Sequence, residues 1–146
     1  MSVMEDVTTA VVTEVNTGSY SEAFTAQRYY QPVFSLPDMS TLHVSVVPKS
    51  ILLEASSRSD QQYEVAIDIA VQKKIPGALA TQLANVDTLM DVVEEIMDLL
   101  RMGGSLPTYT AAQWVSIENT PIYDDEHLDT MRQFSSVITV IYKVWR

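Results

Sequence analysis

The chain has 146 residues, the length of one domain that buries roughly 70% of the surface its unfolded form exposes. A hydrophobic fraction of 47% with 19% charged residues excludes wholesale disorder. Nineteen acids against nine bases give a net charge of −10, which argues against a lasting grip on nucleic acid or anionic lipid, since both need clustered Lys and Arg.

With no cysteine, disulfides, zinc–thiolate sites, iron–sulfur clusters and thiol catalysis are excluded. No apolar run approaches the roughly 18 residues that span a bilayer. The opening MSVMED is acidic and has no basic n-region, so a cytoplasm-like compartment is expected.

Residues 3–16 predict an amphipathic helix, because Val3, Val7, Val11 and Val15 recur every four residues. Ser2 and Glu5 stand at capping-box spacing, and Asn16-Thr17-Gly18 is a stop signal. Valine and threonine are poor helix formers, so packing on a sheet must hold this helix. Residues 23–31 read as a strand that Pro32 ends. A second strand is expected over 42–47, with Leu42, Val44 and Val46 on one face. From Pro48 to Gln62 no strand period is visible, which predicts a long polar loop.

The clearest period of two runs through 63–75. Tyr63, Val65, Ile67, Ile69 and Val71 face one way, and the smaller, more polar Glu64, Ala66, Asp68, Ala70 and Gln72 face the other. Residues 86–102 predict the second helix. Its apolar stripe is Val86, Leu89, Met90, Val93, Ile96, Met97 and Leu100, its acidic stripe is Asp87, Asp91, Glu94 and Asp98, and Asn85 or Asp87 is its expected cap. Strands are expected at 113–118 and 134–145. The last is apolar on both faces, with Phe134, Ile138, Val140, Tyr142 and Val144 set against Val137, Ile141 and Trp145. Both faces are therefore expected to be covered, one by a helix and one by another subunit. The economical solution is one α+β domain over 1–146. It is a mostly antiparallel sheet of about five strands with two helices packed on it, in the order α-β-β-β-α-β-β.

Catalytic patterns are scarce. There are only four glycines and two histidines, and no nucleophile elbow, phosphate loop or dinucleotide fingerprint. Asp124, Asp125, Glu126, His127 and Asp129 offer carboxylates to a hard cation. Their spacing lacks the alternation and the glycine of a calcium loop, so a solvated turn is expected. Lys73-Lys74 and Arg28 make no basic stripe, and Tyr29, Tyr30 and Trp114 at strand spacing read as sheet residues rather than base platforms. The residues thus predict an acidic, non-enzymatic part that assembles with itself or a partner, with no cofactor and no metal.

Four segments carry a resemblance. They are Phe24-x-x-x-Arg28-x-Tyr30-x-Pro32 with Leu36-x-Asp38 and Leu42-x-Val44-x-Val46-Val47-Pro48; Arg58 and Asp60 leading into Tyr63-x-Val65-x-Ile67-x-Ile69-x-Val71-Gln72-Lys73-Lys74; Leu89-Met90 with Val93-Glu94-Glu95-Ile96; and Pro121-Ile122-Tyr123-Asp124, His127-Leu128 and Phe134-Ser135-Ser136-Val137. In this order they resemble the tail terminators, or tail-completion proteins, of the tailed-bacteriophage neck. The resemblance implies a structural protein of the virion, made in the host cytoplasm. It implies a six-fold ring of this chain on the head-proximal end of the tail tube. The ring would end tube polymerisation and meet a head-side connector, with DNA only passing through the lumen. It implies no membrane partner and no catalytic residue. Another neck component, such as a head-completion protein, and a metal-dependent enzyme built on the acids at 124–129 are the alternatives. In the expected loop, Glu54, Arg58, Ser59, Asp60 and Gln61 are the candidate contacts to a neighbouring subunit or the tube, since Arg58 and Asp60 offer charge-assisted hydrogen bonds of both signs.

Overall fold

The structure, a computed structural model, describes residues 2–29, 41–55, 61–75, 79–103, 105–119 and 133–145. Helix α1 spans Val3–Val15. Its start is the expected capping box: the Ser2 hydroxyl accepts from the Glu5 amide at 3.1 Å, and the Glu5 carboxylate accepts from the Ser2 amide at 2.9 Å. That backbone bond, then the Ser2 side chain, holds the Glu5 carboxyl below its usual range. Val3, Val7, Val11 and Val15 are buried. Thr8 is buried as well, and its hydroxyl is satisfied by the Met4 carbonyl at 2.6 Å.

The helix ends at Asn16, whose side chain grips the next element at two points. Its amide donates to the Ala26 carbonyl at 3.1 Å and its oxygen accepts from the Ala26 amide at 2.8 Å. At Gly18 a side chain would meet Tyr20 Oη at 2.6 Å. That ring stacks on Phe24 and its hydroxyl donates to the Val15 carbonyl, so close approach requires the glycine. The following residues tie the layers together. Ser21 donates to Glu95, and Glu22 pairs with Lys73 at 2.7 Å.

Strand β1 is only Ala26–Arg28, and it lies parallel to β2, His43–Ala55. Parallel neighbours need a long return connection, and the chain between Arg28 and His43 supplies it. β2 pairs antiparallel with β3, Gln61–Lys74. Helix α2 follows at Leu79–Gly103 and starts earlier than the expected residue 86. Asn85 and Asp87 therefore lie inside it and do not cap it. The added turns take in Leu79 and Leu83 at helical spacing, and Leu83 is exposed. β4 (Ser105–Leu106), β5 (Tyr109–Asn119) and β6 (Gln133–Trp145) complete one sheet in the order β1-β2-β3-β6-β5-β4. The fold is α+β, with the expected element order plus the two-residue β4.

The helices cover one face. Val44 and Val46 of β2, Val65, Ile67, Ile69 and Val71 of β3, and Phe134, Ile138, Val140, Tyr142 and Val144 of β6 are buried there with the α1 valines and with Leu89, Val92, Ile96 and Leu100 of α2. The opposite face, expected to be small, polar and outward on β3 and apolar on β6, is covered only in part. Ser45, Ala70, Gln72 and Ser135 are buried at one end. Toward the other end Ala66 and Ile141 are half-buried and Trp145 is exposed.

Two phenols report on this core. Burial, then the charges of Glu14 and Glu95, pushes Tyr20 up to about 12, and burial, then Glu14, raises Tyr142 further. Their folded pKa values exceed the unfolded value of about 10, so the stability they contribute is full below that pH and is lost as pH rises through about 12. The expected urea midpoint falls between about pH 10 and 12, and falls less in Tyr142→Phe. An equal fall in that variant would remove Tyr142 from the account.

Candidate functional site

Pro48 has no amide to give a sheet, so a strand ending there is the natural sequence reading. β2 instead continues to Ala55. A bulge between Pro48 and Ser50 absorbs the proline, and pairing resumes at Ser50↔Ala66, Ile51↔Val65, Leu52↔Glu64, Leu53↔Tyr63, Glu54↔Gln62 and Ala55↔Gln61. The expected loop over 48–62 is thus largely hairpin, and only 56–60 separate the two strands. Of the expected contact residues, Glu54 and Gln61 stand exposed at the distal ends of the paired strands. Arg58, Ser59 and Asp60 lie outside the described residues, as does the acidic cluster from Asp124 to Asp129 with His127.

The bulge also changes which side chains face which way. Before it, the even-numbered Val44 and Val46 point to the helix side. After it, Ile51 and Leu53 share that side with Val65 and Tyr63, while Leu52 lies with Glu64 and Lys143 on the other. β1 accompanies β2 only to Val46, with one further bond from the Tyr29 amide to the Val46 carbonyl at 3.0 Å. Among the described residues nothing pairs with the outer edge of β2 beyond that point. The distal half of β2, Ser50–Ala55, is thus an edge arm with apolar side chains on both faces, whose outer side no described residue pairs with, while β3 beside it stays paired with β6 as far as Gln62↔Trp145.

Its exposure is high for its chemistry. Ile51, Leu52 and Leu53 are 47%, 51% and 53% exposed, and Trp145, opposite Gln62 at the end of β6, is 46% exposed. Covering a half-exposed aliphatic side chain returns about 1 kcal/mol, so an interface over these four is worth roughly 4 kcal/mol before entropy. Lys49 sits at the root of the arm, 4.0 Å from Asp68, a separation that contributes little at an exposed site. The sequence signal that was missed is the run Ile51-Leu52-Leu53, apolar without alternation.

A second apolar feature lies across the sheet. Met90, Val93 and Met97 of α2 and Ile117 of β5 line a groove of about 330 Å3 together with the polar Glu94, Glu118 and Asn119. The expected apolar stripe of α2 explains it. Leu89, Val93, Ile96 and Leu100 turn into the core, and Met90 and Met97 are left at the margin, half-covered. Asp87, Asp91, Glu94 and Asp98 are exposed along the helix, as their spacing predicts.

Other sequence candidates have structural partners. Lys73 is paired with Glu22, Arg28 donates to Thr9, and Trp114 packs against the core rather than offering its ring to a base. Among the described residues no group of three or more His, Asp or Glu stands together as a metal site, and no helix is long and apolar enough to cross a membrane. In comparison with known proteins, no family model and no curated protein matches the chain.

Proposed function

We propose that this chain is a structural protein of a tailed-bacteriophage virion, a tail terminator. It forms a ring on the head-proximal end of the tail tube, ends tube polymerisation and presents a surface to the head-side connector. The observation that carries the reading is the distal half of β2, where Ile51, Leu52 and Leu53 are about half exposed and no described residue pairs with the outer edge. A part whose work is contact needs such a surface and needs no reaction centre. The family resemblance, carried on the four segments between Phe24 and Val137, suggests the identity of the assembly.

Charge supports the same reading. Six copies at −10 each carry about −60. A lumen of that sign repels the duplex and lets it pass without sticking. The tube and the connector are protein partners reached through the ring's two rims.

The test is native mass spectrometry and negative-stain microscopy of the purified chain, followed by gold labelling of tailed particles that contain it. The expected results are a six-membered ring with a central channel and one labelled site per particle, at the tail's head-proximal end. A monomer at high micromolar concentration, or a label on the capsid or tail tip, overturns the reading.

A further inference from the structure

We infer that the groove between α2 and β5 takes an extended segment of a different protein, which adds as a strand to the outer edge of β5 and turns aliphatic and basic side chains toward α2. The inference does not rest on the ring reading and applies to a single chain as to a ring.

An open edge and an apolar flank meet there. β4 pairs with β5 only as far as Gln113, and among the described residues no strand lies along the outer side of Trp114 to Ile117. Such an edge keeps backbone groups that an added strand can pair with. Ile117 shares its row with the buried Val140, so it faces the helices. A strand laid outside β5 would set every second side chain beside Ile117, along the flank of α2. That flank is apolar where Met90, Val93 and Met97 line the groove of about 330 Å3. Methionines adapt their shape to an incoming side chain, so aliphatic residues of different outline fit.

Charge selects the occupant. Beside the methionines α2 carries Asp87, Asp91, Glu94 and Asp98, all exposed, and Glu94 itself lines the groove. Arg101, the single base of α2, pairs with Asp98 at 3.4 Å. Among the described residues Asp87, Asp91 and Glu94 have no basic partner. Long basic side chains suit both parts of the site: the stem of a Lys or Arg lies on the methionines and its charged head reaches the carboxylates. Each copy of this chain carries nineteen acids against nine bases, so such a segment is expected from another protein and not from a second copy.

NMR of the whole chain, labelled on backbone amides and methionine methyls, tests this with the end-blocked peptide Thr-Lys-Thr-Leu-Thr-Lys-Thr. The peptide is expected to shift the amide signals of Val115, Ser116 and Ile117 together with the methyls of Met90 and Met97. A peptide with Glu in place of both Lys is expected to bind about tenfold more weakly or worse, and so is the Lys peptide to Asp91→Lys/Glu94→Lys. Both substitutions fall at exposed positions, and that variant is expected to melt like the wild type. Of two peptides N-methylated at alternate residues, one in each phase, only one is expected to lose binding, since the amides of a strand point alternately to its two sides. Lys and Glu peptides that bind alike overturn the inference, and equal binding of the two methylated peptides overturns the added strand. So do shifts confined to Ser50–Ala55 of β2, and no shift at millimolar peptide. The same shifts on concentrating the chain alone would place a second copy in the groove and overturn it as well.

Discussion

Ile67→Asp is expected to lower the unfolding free energy by about 4 kcal/mol. Ile67 is fully buried at the middle of β3, with Pro48 and Val140 as its cross-strand neighbours on the helix-covered face. The substitution removes a close-packed side chain and leaves a cavity, which by itself costs about 2 kcal/mol or more. It also places a carboxylate where no water and no cation can reach it. The group will hold its proton instead of ionising, and that cost adds to the cavity. Urea denaturation measures the effect. A midpoint like that of the wild type would mean that β3 does not run through the core, and the sheet order would have to be redrawn.

Phe134→Ala is expected to cost about 4 kcal/mol, whereas Trp145→Ala at the other end of the same strand should cost less than about 1 kcal/mol. Phe134 is fully buried at the start of β6, where it lies opposite Lys73. Trp145 stands opposite Gln62 and is about half exposed beside the arm. Size predicts the reverse order, since tryptophan is the larger ring. Burial decides, because apolar area stabilises the chain only if folding removes it from water. Thermal or urea unfolding of the two variants gives the comparison, and native mass spectrometry of Trp145→Ala adds a second readout. If Trp145 lies in the assembly contact, that variant loses rings while keeping its stability. Equal destabilisation by the two substitutions would show that both ends of β6 are covered within one chain.

The sequence by itself determined those elements whose signal is local. Valine every fourth residue, with Ser2 and Glu5 at the start, determined α1 and its buried face, because side chains four apart share one side of a helix whatever the rest of the chain does. Alternation from Tyr63 to Val71 determined β3 and its buried side in the same way, whereas β6, apolar on both faces, shows its helix-facing side, Phe134 to Val144, only in the fold. Glu54 and Gln61 were legible as exposed contact candidates because they are polar and far from any apolar period. They stand at the distal end of a hairpin rather than in a loop.

Only the tertiary structure decided the rest, and each case turns on a partner distant in sequence. Pro48 ends a strand when read alone, but β3 holds the strand in register on both sides of the bulge and carries it to Ala55. β1 is parallel because the chain returns before pairing, which no window of residues can show. Ile51, Leu52 and Leu53 have the composition of a core strand. They are exposed although Val65, Tyr142 and Val144 in the same rows are buried, because they lie on an outer strand over which nothing described in this chain packs. Met90 and Met97 belong to the same helical stripe as Ile96, and only the position of β5 leaves them at the edge of a groove. Periodicity assigns a residue to a face; whether that face is covered depends on what else folds against it.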